Sequence, residues 1–282
     1  MKKTLKLSAV LLSILAIVIM MFPCAATAAA PGSTTEITHF VSVERAKTLV
    51  EQAFGDDGPA IVSRMITRNI TPLPVQRHIS YNPINNPPGN YGGYQVKASV
   101  NDSEGCFNVT QSTNGHDAAW TGVGGIYGNQ YLAQTGVDMS NTPQAWTEIL
   151  VPNQPGYGAT FWFNVSPGDD MASVVIKDSS DPGYWYLMIA DLTSGEWHGG
   201  DVQFAPDQNS AEWIVERLGT TIGSYGTVHF QHCMWDDSNF NPQTITSGEA
   251  IALYRDIEQG SDRTVTPGNI GADGKNFTMT AN

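Results

Sequence analysis

Four kinds of side chain in this sequence have types suited to cutting an amide bond. Gln134 stands in Gln134-Thr135-Gly136-Val137-Asp138, and Glu212 in Ala211-Glu212-Trp213-Ile214-Val215-Glu216. Further carboxylates lie at Asp138 and Glu148, and aromatic surface at Trp120 and Trp146. Amide hydrolysis needs a base to activate water, a donor for the developing oxyanion and an acid for the leaving nitrogen. A glutamate, with an ordinary pKa of about 4.3, is partly ionised in acid and can serve as base and then as acid. A glutamine amide does not titrate in that range, so it donates hydrogen bonds whatever the acidity. A histidine base, with a reference pKa of about 6.5, would be protonated there. Taken singly, a strand glutamine is a face residue, a lone glutamate a surface carboxylate, and a tryptophan either a peptide-binding surface or core.

Strand alternation puts Leu132, Gln134, Gly136 and Asp138 on one face, and Glu212, Ile214 and Glu216 on one face. Gly136 is expected to leave space beside Gln134 for a substrate backbone. The 78 residues between Gln134 and Glu212 do not say whether the two meet.

Other hydrolytic chemistries lack their signatures. There is no Gly-x-Ser-x-Gly elbow, no His-Glu-x-x-His helix, no Asp-Thr-Gly or Asp-Ser-Gly loop, no P-loop and no dinucleotide fingerprint. His229 and His232 flank Cys233, but a spacing of three in a strand predicts opposite faces, so no metal or cofactor is expected. Cys106 and Cys233 leave one disulfide open, which spacing does not decide.

The elements that must position these groups follow a three-part chain. Lys2, Lys3 and Lys6, the apolar run Leu7 to Phe22 and Ala26-Thr27-Ala28 predict a signal peptide over residues 1–28 and a secreted, extracellular product. Residues 29–89 read as a prosegment and linker. Within them Ser42 caps a predicted amphipathic helix to Phe54, with Val43, Ala46, Val50 and Phe54 near one face. Pro83, Pro87, Pro88 and Gly89 mark an extended linker.

Residues 90–282 read as one β domain. Gln95–Val100, Ala159–Val165, Ala172–Ile176, Tyr184–Ile189, Trp213–Val215 and Gly226–Phe230 are β-branched or aromatic runs. Turn clusters such as Ser166-Pro167-Gly168-Asp169 separate several of them, the pattern of an all-β sandwich of two antiparallel sheets.

Charge is unevenly spread. The chain of 282 residues carries −13 overall, with five bases and five acids in residues 29–89 but six bases and 22 acids in residues 90–282. Such a body excludes a nucleic-acid partner. In acid it moves toward neutrality rather than toward a self-repelling cation. Beyond the signal segment no apolar stretch is long enough to cross a membrane.

The segments Ala119-Trp120-Thr121-Gly122-Val123-Gly124-Gly125, Tyr131 to Asp138, Ala145-Trp146-Thr147-Glu148 and Ser210 to Glu216, in this order, resemble the glutamic peptidases, the eqolisin family. Val165 to Asp169 and Asp191 to Gly195 extend the resemblance, which covers essentially residue 90 onward. It implies a concanavalin-like sandwich of two seven-stranded sheets, made with a prosegment and acting on protein or peptide substrates in acid as a monomer without a cofactor. It places the catalytic pair on Gln134 and Glu212, and substrate-binding roles on Trp120, Trp146, Asp138 and Glu148. One departure is Gly124, where the family pattern has aspartate after Trp-x-Gly-x. The leader's Arg and Lys side chains are expected to pair with cleft carboxylates near neutral pH. The alternative is a glycan-binding or glycan-cleaving sandwich, with stacking tryptophans and a carboxylate pair of Glu212 with Glu148 or Glu216.

Overall fold

The computed structural model describes residues 42–65, 91–125, 131–151, 158–181, 183–218, 223–253 and 265–281. The predicted signal peptide and the proline-rich linker lie outside them. Two helices come first, α1 (Val43–Phe54) and α2 (Gly58–Arg64). Then follow β1 (Tyr91–Lys97), β2 (Asp102–Asn108), β3 (Asp117–Gly124), β4 (Leu132–Asp138) and β5 (Gln144–Leu150). Next come β6 (Ala159–Asn164), β7 (Asp170–Lys177), β8 (Tyr184–Asp191), β9 (Trp197–Gln203) and β10 (Ser210–Arg217). The last are β11 (Thr227–Asp236), β12 (Pro242–Thr244), β13 (Glu249–Leu253), β14 (Val265–Pro267) and β15 (Phe277–Ala281).

These strands form two sheets. The first runs β13-β1-β10-β3-β4-β5-β6 and the second β14-β15-β11-β2-β7-β8-β9. Every pairing is antiparallel. The second sheet carries an eighth strand, β12, which pairs with the end of β11. The Asp237 carboxylate makes that return possible by accepting from the Asn239 and Asn241 backbone N–H groups, at 2.7 and 3.1 Å.

Alternation builds the core between the layers. Val96, Val123, Ala133, Val137 and Trp213 point inward from the first sheet, and Phe107, Val175, Leu187, Ile189 and Phe230 from the second. Each such aliphatic or phenyl side chain contributes about 1.5–3 kcal/mol on burial. Some polar groups between the sheets are bonded across them. Ser173 Oγ donates to the Thr135 carbonyl at 2.9 Å, and Trp213 Nε1 to the Glu104 carbonyl at 2.8 Å.

The run Met171 to Ile176 shows why the second sheet differs from a two-layer sandwich strand. Met171 and Val175 face the inter-sheet core, while Ala172, Val174 and Ile176 face outward and are equally buried. A strand apolar on both faces needs a layer on each side. Helices α1 and α2 provide the second one. Ser42 caps α1, its side chain accepting from the Arg45 N–H at 3.2 Å. Ala46, Leu49, Val50, Ala53 and Phe54 form the buried stripe, a fuller 3.6-residue repeat than the predicted face, in which Val43 stands only at the margin. Helix α2, with a proline in its first turn, had no sequence forecast.

One local expectation is corrected. His232 has φ +52° at a bulge where β11 shifts register against β2 between Gln231 and Met234. The bulge breaks the two-residue period, so His229 and His232 border one cavity beside α2 instead of facing apart. The pairing that spacing left open is not made: Cys106 lies beneath the helices and Cys233 in the inter-sheet core, and both are free. No helix among the described residues is long and apolar enough to cross a membrane.

Candidate active site

The outward face of the first sheet gathers the motif residues in cross-strand rows. In one row Gln95 on β1 faces Glu212 on β10, Glu212 faces Gly122 on β3, Gly122 faces Gln134 on β4, and Gln134 faces Glu148 on β5. Strand β3 therefore stands between the two motifs, and Gly122 is the residue separating Gln134 from Glu212. With strands about 4.8 Å apart, their Cα atoms lie about 10 Å apart, and side chains border the position between them: a Cβ on Gly122 would lie 3.0 Å from Trp120 Cζ3 and 3.1 Å from Leu132 Cδ1.

The next row along the strands reads Ile214, Trp120, Gly136, Trp146 and Phe161. With Ala118, Leu132 and Ala159 these form an apolar cluster on the same face, and each tryptophan is 4% exposed. The space over Gly136 is filled by Trp120. A Cβ on Gly136 would lie 2.2 Å from the Ala119 carbonyl oxygen and 2.6 Å from Trp120 Cβ. The glycine predicted to admit substrate backbone instead lets Trp120 pack, and Gly122 occupies the gap between the pair.

Gly124, the departure from the family pattern, has a φ of +87°, and a Cβ there would sit 2.3 Å from the Tyr131 carbonyl oxygen. Backbone geometry at the end of β3 thus leaves no room for an aspartate.

Hydrogen bonds hold the row in place. Gln134 Nε2 donates to Glu148 Oε2 at 2.5 Å, and Ser210 Oγ to Glu212 Oε1 at 2.9 Å. Trp120 Nε1 donates to Glu216 Oε2 at 3.1 Å. Gln95 and Gln134 are buried, yet Gln95 Nε2 and Gln134 Oε1 have no hydrogen-bond partner among the described residues. Buried amide atoms are normally satisfied. Of these two, Gln95 stands on the strand next to Glu212 and Gln134 two strands away across Gly122. Neither Gln95 nor Ser210 is singled out by sequence as a site residue: Ser210 opens the second motif and shares the face of Glu212 by parity, whereas Gln95 meets Glu212 only through the pairing of β1 with β10.

Asp138 lies two rows from Gln134 and is fully engaged. Its Oδ2 meets His116 Nε2 at 2.8 Å and its Oδ1 accepts from the Ser140 N–H at 2.9 Å. Trp120, Trp146 and Glu148 share the face of the Gln134/Glu212 row, while Asp138 stands at its far margin.

Burial sets the electrostatics. It pushes the Glu148 carboxyl up to about 8, with the Glu216 charge adding and the Gln134 hydrogen bond opposing. Burial likewise raises Glu212 well above its ordinary value; the Ser210 hydrogen bond opposes and the charge of Glu216 assists. Both carboxyls are thus biased toward the protonated form in acid.

The leader's described arginines do not reach this row. Arg45 Nη2 bonds Asp178 Oδ1 at 2.7 Å and Arg64 Nη2 approaches Asp170 Oδ2 at 3.4 Å, both at the second sheet. The expected pairing with cleft carboxylates is therefore not made by these two; Arg68 and Arg77 lie outside the described residues.

The sequence profile of the peptidase A4 family matches residues 90–280. The solved structure of scytalido-glutamic peptidase with a peptide-based transition-state analogue is similar in fold, with a TM-score of 0.57 and 17% identity over 69% of this chain and 98% of that one. SCP-B, described as a member of the eqolisin family of peptidases in complex with the tripeptide Ala-Ile-His, gives a TM-score of 0.53 at the same identity and coverages. Among curated proteins none matches the sequence.

Proposed function

The chain belongs to the peptidase A4 family and is a peptidase of the glutamic type, and we propose that it is a secreted, acid-active endopeptidase in which Glu212 and Gln134 form the catalytic pair. The observation that supports this reading is the single row Glu212, Gly122, Gln134, Glu148, which sets a carboxyl and an amide on one face of the sheet with only β3 between them.

In the ionised form Glu212 takes a proton from water, and the hydroxyl adds to the scissile carbonyl carbon. The resulting oxyanion accepts from Gln134 Nε2, whose other hydrogen remains on Glu148. Glu212 then returns its proton to the amide nitrogen, the C–N bond breaks, and the carboxylate is regenerated. A raised pKa suits the second half-step, because the protonated form is retained in acid for the leaving amine. Ser210 and Glu148 act as positioning residues, each fixing one member of the pair. The buried Trp120 and Trp146 support the adjoining row as an apolar wall. A glycan-cleaving reading would need Glu148 or Glu216 as a free second carboxyl, whereas Gln134 engages Oε2 of the first and Trp120 Nε1 donates to Oε2 of the second.

Secretion rests on the basic, apolar and small-residue order of residues 1–28, and acid action on the sparse Lys and Arg of the body. The test is proteolysis of casein or haemoglobin at pH 3–4 by the wild type, Gln134→Ala and Glu212→Ala, each checked for its fold by circular dichroism. Removing the oxyanion donor is expected to lower kcat by roughly 10²–10³-fold. Folded variants that retain wild-type rates overturn the assignment.

A further inference from the structure

The outer face of the second sheet is built to be covered. Ala172, Val174, Ile176, Tyr186, Met188 and Ala190 point away from the inter-sheet core and are all fully buried. What covers them is the leader: Leu49, Val50, Ala53 and Phe54 of α1 are at most 1% exposed and Ile61 of α2 is 6% exposed. Stripped of that layer, the sheet would show water a contiguous apolar surface of a kind that soluble proteins seldom leave open.

Polar latches ring the contact. The Arg45 guanidinium reaches Asp178 Oδ1 at 2.7 Å and Ser180 Oγ at 3.3 Å. Arg64 Nε donates to the Leu192 carbonyl at 2.9 Å, and His232 Nδ1 meets Asp57 Oδ2 at 2.8 Å. These bonds join both helices to β7, β8 and β11 and their loops. The contact lies on the sheet opposite the Gln134/Glu212 row, so the helices do not obstruct that row.

We infer that residues 43–65 are a permanent third layer of the enzyme rather than an inhibitory segment discarded on activation. Cleavage anywhere within residues 66–89 then yields a two-chain enzyme whose helical fragment stays bound to the second sheet. The apolar stripe carries the attachment and does not titrate, so acidification alone does not release it.

The test introduces a site-specific protease sequence into residues 66–89 of the full chain, cuts it, and follows both pieces by native mass spectrometry and size exclusion at pH 4 and pH 7. The helical fragment is expected to remain with the sandwich at both values. Loss of the fragment from the cut wild-type chain overturns the inference, whatever the sandwich then does. Leu49→Asp in the cut protein is expected to release the fragment and increase binding of a hydrophobic dye, while the exposed Glu51→Lys leaves both readouts unchanged. Retention of the Leu49→Asp fragment with no added dye binding also overturns it. Since the readouts are mass and surface exposure, the outcome stands apart from whether Gln134 and Glu212 cut peptides.

Discussion

The two outward faces of the sandwich are opposites. The first sheet turns out a row of amide and carboxyl groups, Gln95, Glu212, Gln134 and Glu148, beside a wall of Trp120 and Trp146. The second turns out aliphatic residues sealed by two helices. Both sets are buried, but burial has a different consequence on each. On the helix-covered face it is stabilising through apolar contact. On the other it raises the pKa of Glu212 and Glu148 and leaves amide atoms unsatisfied, a cost to the folded state that makes sense at a working site.

The sharpest way to break this contrast is a pair of substitutions. Glu212→Gln should remove at least 10²-fold of peptidase activity, through loss of the base, while thermal stability at pH 7 stays equal or rises because a buried carboxyl with a raised pKa is gone. Phe54→Ala should do the reverse, lowering stability by about 3–5 kcal/mol in denaturant titrations with kcat per folded molecule unchanged. If Phe54→Ala instead raises kcat, the helices restrain the site and the two faces are not independent.

Next in size is the response to pH. Burial raises Asp117 and Asp236 to about 6 and Glu148 to about 8. Burial and mutual repulsion also lift Asp102 and Glu104, which lie near Asp236 and Lys275, while burial lifts Glu212. A carboxyl whose folded pKa is raised favours the native state below its unfolded pKa, near 4, and that contribution is lost as pH rises to the folded value. Tm should therefore be higher at pH 4 than at pH 8, with most of the fall from Asp117 and Asp236 complete by about pH 6. A Tm that climbs across that interval would show that these carboxyls ionise freely.

A smaller effect separates position from charge at Glu148. Being protonated in acid, it is mimicked by glutamine, so Glu148→Gln should stay close to wild-type kcat at pH 4. Glu148→Ala loses the group that orients Gln134 and should cost about tenfold, the worth of one hydrogen bond. Equal losses in the two variants would argue that the negative charge matters.

The smallest effect belongs to Arg45→Ala. Burial pushes the Asp178 carboxyl up, but hydrogen bonds from Ser180 and Arg45 outweigh it and hold the group below its usual range. With Arg45 partly exposed, its loss should cost no more than about 1 kcal/mol and shrink further in high salt, by thermal melts at low and high ionic strength.

Much of this could be read from local sequence. Ser42 and the spacing to Phe54 mark α1; the β-branched runs mark β6, β7, β8 and β10; the Gln-Thr-Gly-x-Asp and Ala-Glu-Trp motifs mark the two residues that the structure sets in one row. Helix α2 was missed because seven residues carry too few turns for a hydrophobic period to show. The bulge at His232 was missed because it depends on how β11 meets β2 and Asp57, not on neighbouring side chains.

Alternation and composition alone determined that this chain makes a β sandwich preceded by a helix, and which side chains share a face along each strand, because those properties repeat every two or 3.6 residues. That Gly122 rather than Gly136 separates Gln134 from Glu212 was decided only by the insertion of β3 between β4 and β10. That the leader rests on the sheet away from them was decided only by the apolar outer face of β7 and β8. Both are pairings between segments far apart in the chain, and no local period encodes which distant strand or helix a given face will meet.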